Sequence, residues 1–197
     1  MTQESMTDVL ICGAGAAGLA LAIDLARRGV DFRLLEKAET PFRGSRGKGI
    51  QPRSLEVFED FGIADRLFAT GGPYPPIREY RSDGSFVDAP LSDARGPTSA
   101  EPYGAPLMVP QFLTETVMRE RLAELGHRPE FGRELTGFSQ NTKGVTAQVG
   151  SEIVRARYLV GTEGGRSLLR HSLGIDFPGE TLGARDRRGC RIGGHRP

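Results

Sequence analysis

Tryptophan is absent from this 197-residue chain, cysteine occurs only twice and histidine only three times. Cys12 and Cys190 stand far apart without C-x-x-C spacing, which excludes a disulfide framework and a thiolate zinc site and points to a reducing compartment. His127, His171 and His195 sit in unrelated contexts without ligand or triad spacing, so they read as structural or surface residues and no metal is expected. No apolar run approaches the ~18 residues of a membrane helix. The opening MTQESMTD also lacks the basic, apolar and small-residue order of a secretory signal. A soluble, cytoplasmic protein with no membrane partner is the expectation. An excess of charge of one sign is missing too: 26 basic and 25 acidic side chains leave a formal net charge of +1, without the electrostatic footprint of a nucleic-acid binder.

What is present is the composition of a chain that folds. Apolar residues at 38% and charged residues at 26% lie far from the corner where chains fail to collapse. The length suits one large core, or one domain plus a fragment, at roughly 150 residues per domain. One stretch departs from the mean: residues 183–197, GARDRRGCRIGGHRP, hold five arginines, four glycines and one acid and read as a disordered basic tail. It lacks aromatic residues on which bases could stack.

Along the chain, DVLIC at residues 8–12 is too short for a helix and suits a strand buried on both faces of a parallel sheet. Residues 15–28 repeat apolar side chains at Leu19, Ala22, Ile23 and Ala26, the spacing of a helix with one buried stripe, and close at Gly29. FRLLE at 32–36 reads as a second strand, completing a right-handed βαβ unit. A helix is expected over 53–61, with Leu55, Phe58 and Phe61 on one face. Residues 71–106 are rich in Pro and Gly and hold hairpin-like pieces at 77–80 and 85–88, an inserted second layer. A helix from near Pro110 to Leu125 follows, burying Leu113, Val117 and Leu122. Strands at 135–139, 144–149 and 153–160 and a short helix at 168–171 complete an α/β pattern.

The sequence Gly13-Ala14-Gly15-Ala16-Ala17-Gly18 is a G-x-G-x-x-G between the first strand and first helix. Gly13 allows the tight turn, Gly15 removes the side chain that would block a diphosphate, and Gly18 lets helix and strand approach closely. The helix N-terminus then offers N–H donors and positive dipole density to the anion. Glu36 follows Gly18 by 18 residues, at the end of the second strand, where a carboxylate can accept from both ribose hydroxyls of an adenosine. A bound adenine dinucleotide is the reading. Glu36 repels a ribose 2′-phosphate, which disfavours NADP at this turn and leaves NAD and FAD open.

Three further segments carry a resemblance: Ser45-Arg46-Gly47-Lys48-Gly49 running on to Gly62, Val109-Pro110-Gln111 with Glu115, and Tyr158 through Gly161-Thr162-Glu163-Gly164-Gly165-Arg166-Ser167. Together, over residues 7–182, the chain resembles the FAD-dependent aromatic hydroxylases of the p-hydroxybenzoate hydroxylase type, most of all actinobacterial hydroxylases acting on polyketides and phenols. The resemblance implies a Rossmann-like, glutathione-reductase-type FAD-binding domain with a parallel sheet. Residues 1–70 and 107–182 would form it, and residues 71–106 would be part of a β-rich substrate domain. It also implies that Gly13, Gly15, Ala16, Ala17 and Gly18 hold the FAD diphosphate, with Glu36 and Lys37 at the adenosine. Arg46 would lie beside the diphosphate and flavin, Gln111 at the ribityl chain, and Glu163 and Gly164 in the second fingerprint. The activity implied is hydroxylation of an aromatic ring with O2, through a flavin C4a-hydroperoxide, with NADPH or NADH as electron donor. No side chain is assigned as catalytic.

Two departures qualify that expectation. The family writes Asp-Gly where this chain has Glu163-Gly164. The third fingerprint of the family is not found, and the text leaves the family pattern after Phe177-Pro-Gly-Glu-Thr-Leu182, which reads as truncation or a change of reading frame with apolar faces left exposed. A truncated FAD-binding remnant with little or no turnover is therefore one alternative, and another Rossmann-type flavin or NAD-dependent oxidoreductase is a second. A flavin halogenase is disfavoured, since its tryptophan signature cannot exist here.

Overall fold

A short run of apolar residues can satisfy both its faces only in the middle of a sheet, and the run at residues 8–12 lies there. The computed structural model describes residues 4–45, 47–90 and 96–179; Arg46 and the tail 183–197, with Cys190 and His195, fall outside them. In chain order the elements are β1 (Glu4–Cys12), α1 (Ala16–Arg27), β2 (Phe32–Glu36), β3 (Gly49–Ile50), α2 (Pro52–Asp60) and α3 (Ala64–Thr70). Then come β4 (Gly72–Pro73), β5 (Ile77–Tyr80), β6 (Phe86–Ala89), β7 (Leu107–Met108) and α4 (Gln111–Glu124). Last are β8 (Glu130–Phe131), β9 (Leu135–Asn141), β10 (Gly144–Val149), β11 (Glu152–Gly161), a 3-10 turn (Gly164–Arg166) and α5 (Leu168–Ser172). Among the described residues no helix is long and apolar enough to cross a membrane.

The main sheet runs β8-β2-β1-β11-β10-β9. β8, β2, β1 and β11 are mutually parallel, while β10 and β9 are antiparallel additions at one side. The sheet is thus parallel only in part, and the connections explain why. β9, β10 and β11 follow one another through tight turns, helped by Gly144 at φ +141° and Gly150 at φ +59°, whereas a parallel pairing needs a crossover of about a dozen residues or more.

Each face of β1 supports a separate core. On one, Val9 and Ile11 pack with Leu19, Ala22 and Ile23 of α1, Val117, Met118 and Leu122 of α4, and Leu55 and Leu67 from α2 and α3. On the other, Leu10 and Cys12 pack with Leu35, Val154, Ala156, Val149 and Leu169. Burying each of the larger aliphatic chains contributes about 1.5–3 kcal/mol. Leu113, expected inside, is only partly buried, because Thr114 and Met118 turn the buried stripe of α4. The antiparallel pair β5–β6 stands apart from the main sheet with Tyr80 and Phe86 exposed.

An ion cluster joins the starting ends of the parallel strands. Arg33 of β2 donates to both carboxylate oxygens of Glu130 (2.7 and 2.6 Å), to the Ser5 hydroxyl (2.8 Å) and to Glu152 (2.7 and 3.2 Å). Ser5 and Arg133 also donate to Glu152. The Arg33 hydrogen bonds, assisted by Ser5 and the charges of Arg33 and Arg133, hold the Glu152 carboxyl at about 2 against the opposing effect of its burial.

A group whose acidity rises on folding stabilises the fold above its ordinary value, about 4.5 for this carboxyl, and that contribution fades as pH falls towards about 2. Melting temperatures measured between pH 5 and pH 2 should fall more steeply for the parent than for Glu152→Gln, which should already melt lower at pH 7. Identical melting curves for the two proteins at pH 7 would remove Glu152 from the account of stability.

Candidate functional site

The turn after β1 is built almost entirely from backbone, and its three glycines differ in what they do. Gly13 has φ +105°, and a Cβ there would lie 2.7 Å from the Thr162 carbonyl oxygen. At Gly18 a Cβ would fall 1.9 Å from the carbonyl oxygen of Gly13 and 2.8 Å from Oγ1 of Thr162. Both positions are glycine because the chain itself leaves no room. Gly15 is different: its φ is −75°, and a Cβ would meet nothing nearer than Oε1 of Glu115 at 3.9 Å. Its missing side chain leaves space for something outside the polypeptide. Gly15 is also the N-cap of α1 and no side chain caps that helix, so the first amides of α1 lack the partner that a capping oxygen would give.

Thr162, from the loop after β11, fastens two loops together. Its hydroxyl lies 2.8 and 2.7 Å from the carbonyl oxygens of Cys12 and Gly13, and its N–H donates to Cys12 at 2.8 Å. Glu36 does similar work from the end of β2, accepting from the N–H of Ala14 (2.8 Å) and of Ala38 (3.0 Å). A carboxylate has about four lone-pair sites, so capacity for further donors remains. Glu163 turns towards α5: it accepts from the Ser167 hydroxyl (2.6 Å) and from the N–H groups of Leu168 (3.1 Å) and Leu169 (3.4 Å). Beneath these loops, burial first and the Glu163 charge second push the Cys12 thiol up to about 12, so it stays protonated and inert.

Between these parts opens a cavity of about 880 Å³ at the carboxyl ends of the parallel strands, the place where open α/β sheets take their ligands. Gly13, Gly15, Ala16, Ala17, Glu36, Lys37, Gln111, Glu163 and Gly164 all line it. Gly18 lies behind the turn rather than on the cavity wall, and Arg46 is outside the described residues. Gln111 opens α4, its N–H donating to the Gly47 carbonyl (3.1 Å) and the Ser45 hydroxyl (3.2 Å). Glu115 and Thr162, which stand in the segments that carry the resemblance, had been given no role at the site, and Arg119 had not been singled out. The spacing 111, 115, 119 on one helix could have found Glu115 and Arg119, since residues four apart share a face; nothing local to Thr162 could have revealed its bridging. Of the described histidines, the half-buried His127 stacks on Phe32 at 4.6 Å between ring centroids, and His171 lines the cavity.

Comparison with known proteins places this geometry among relatives. A family profile described as FAD binding domain matches residues 6–185. A flavin-dependent monooxygenase of Mycobacteroides abscessus is 41% identical over 182 residues, covering 88% of this chain and 38% of the relative. A rifampicin monooxygenase of Streptomyces venezuelae is 38% identical over 176 residues, covering 89% and 35%. The solved structure of the rebeccamycin biosynthetic enzyme RebC with reduced flavin aligns with a TM-score of 0.76 at 31% identity, over 92% of this chain and 36% of that one. The chain therefore spans somewhat over a third of the length of these relatives.

The contrast between the glycines can be measured without any ligand. Gly18→Ala should lower the unfolding free energy by about 2 kcal/mol or more, because helix and strand must separate. Gly15→Ala should stay within about 1 kcal/mol of the parent, the cost of a poorer N-cap. Equal losses in urea denaturation would show that position 15 is held open by the fold after all.

Proposed function

The chain belongs to the family of FAD-binding domains, and from that premise we propose that it binds FAD as the cofactor-holding part of a flavin-dependent monooxygenase acting on an aromatic, phenol or polyketide-like ring. The observation that carries this is the open position at Gly15. A cradle with room for a side chain but none present, under uncapped helix amides, suits a diphosphate.

In this reading the amides around Gly13, Gly15, Ala16 and Ala17 receive the diphosphate, and Gly18 keeps α1 close enough for them to point at it. Glu36 accepts from the adenosine ribose with the lone pairs that Ala14 and Ala38 leave, beside Lys37. Gln111 meets the ribityl chain, and Gly164, with φ +75°, turns the second loop along the cavity wall. Arg46 belongs to the same proposal through its place in the motif, beside the diphosphate and flavin. When bound, FAD would supply the oxygen-activating chemistry, taking electrons from NADPH or NADH and passing one atom of O2 to the ring. The protein groups hold, orient and exclude water. Residues 1–70 and 107–182 form the cofactor domain in this proposal, and residues 71–106, with the exposed Tyr80 and Phe86, belong to a substrate-facing layer. A cytoplasmic location fits the same reading.

A second reading, FAD binding with little turnover, is favoured by Glu163. Its carboxylate is engaged by Ser167, Leu168 and Leu169, where the family has a shorter acid.

Purified protein titrated with FAD should acquire the visible flavin spectrum at one equivalent and should ignore NADP. NADPH or NADH oxidation stimulated by phenols would support the monooxygenase reading, and a flavin-loaded protein with no such turnover the second. A folded protein that takes up no FAD would overturn both.

A further inference from the structure

The strand order β2-β1-β11 sets two loop ends on either side of the glycine turn, the end of β2 with Glu36 and the loop after β11 with Thr162. Both side chains reach the same peptide group, the one between Gly13 and Ala14. Its carbonyl oxygen lies 2.7 Å from the Thr162 hydroxyl, and its N–H donates to Oε2 of Glu36 at 2.8 Å. The Cys12 carbonyl already receives the N–H of Thr162 at 2.8 Å, so the single hydroxyl hydrogen of Thr162 can go to Gly13. On the far side, Oε1 of Glu36 accepts from the N–H of Ala38 at 3.0 Å.

A peptide group is a rigid plane, so the direction of its oxygen fixes the direction of its N–H. This plane follows a glycine at φ +105°, the residue type that leaves a neighbouring peptide most free to rotate. A hydroxyl donating to the oxygen holds the plane and, by polarising it, makes the N–H a stronger donor to the carboxylate beyond it. With both oxygens of Glu36 held by amides, the lone pairs that remain point in one direction from the cavity wall. Freed from Ala14, the carboxylate would turn about its last torsion, which has only a broad preference of its own.

We infer that Thr162 is a positioning residue for Glu36: its hydroxyl, acting through the Gly13–Ala14 peptide, holds the carboxylate in the orientation that receives the adjacent hydroxyls of an adenosine ribose. The inference rests on the FAD reading above, through the adenosine half of that ligand. It adds the statement that preference for the ribose diol depends on a hydroxyl whose bonds are made to the chain.

The test uses the full chain and two probes, ADP and 2′-deoxy-ADP, which differ only in the sugar hydroxyl, with FAD as a control. The parent should prefer ADP about tenfold, the worth of a hydrogen bond to a charged group. Thr162→Val keeps the branched shape and removes the hydroxyl. It should bind ADP about fivefold more weakly than the parent and 2′-deoxy-ADP within about twofold, so that the preference falls to about twofold. Thr162→Ser should retain the preference of the parent, and Thr162→Ala should lose it as the valine variant does, which keeps the test decisive if Thr162→Val fails to fold. In Thr162→Val/Glu36→Gln the preference should match that of Glu36→Gln alone within about twofold, since the two side chains act as one unit. Equal losses for the two probes, a preference lost in Thr162→Ser as in Thr162→Val, or effects that multiply in the double variant would overturn the inference and leave FAD binding intact. A parent that binds FAD and shows no preference between the nucleotides would overturn it as well. A parent that binds neither FAD nor ADP would overturn the cofactor reading and this one with it.

Discussion

Everything at the site depends on one backbone contact, the approach of α1 to the turn that follows β1. A methyl group at position 18 would sit 1.9 Å from the Gly13 carbonyl oxygen, so the helix reaches the strand end only because nothing projects there. That approach places the uncapped amides of α1 over the end of β1, whose residues 9–12 are buried. Thr162 then bonds to the same carbonyls from the opposite loop, so the cavity floor is a single hydrogen-bonded unit resting on two cores. An anion site made of backbone donors works only if those donors do not reorganise when the ligand arrives, and here there is little freedom for them to do so.

The acids of the site serve the chain as well as any ligand. Glu36 and Glu163 are positioned at loop ends where each accepts from two backbone N–H groups. Glu115 is buried against an amide and a guanidinium. Such carboxylates organise neighbouring polypeptide first, and what they offer a nucleotide is the remaining lone-pair capacity in a fixed direction. The distinction matters most at Glu163. Its carboxylate reaches Ser167 and the start of α5, so the helix holds this acid.

The βαβ unit and the glycine turn were legible in the sequence because both rest on local rules. The run at residues 8–12, the stripe of Leu19, Ala22 and Ile23, and the end of β2 at Glu36 all lie where periodicity and turn chemistry put them. The short elements were not legible. β8 is two residues long and is a strand only because β2 lies beside it, and α3 has no capping side chain to announce it. The antiparallel wing was missed because strand runs show where strands are and leave their direction to the connecting turns. At the site, Gly13, Gly15 and Gly18 look alike in sequence, and only the positions of Thr162 and Glu115 separate the glycines the fold requires from the one it does not. Glu115 stands in a segment that carries the resemblance, but its burial shows only in the folded chain.

The hydroxyl of Thr162 reaches the Cys12 carbonyl across 150 positions of sequence, and β1 finds its second parallel neighbour only in β11. β1 therefore has one unpaired side from the making of β2 until β11 has been made. The loop that carries Thr162 consequently joins the glycine turn only after that pairing. During synthesis the nascent glycine turn depends on whatever shields an open strand edge, because the closing piece of the pocket has yet to be translated.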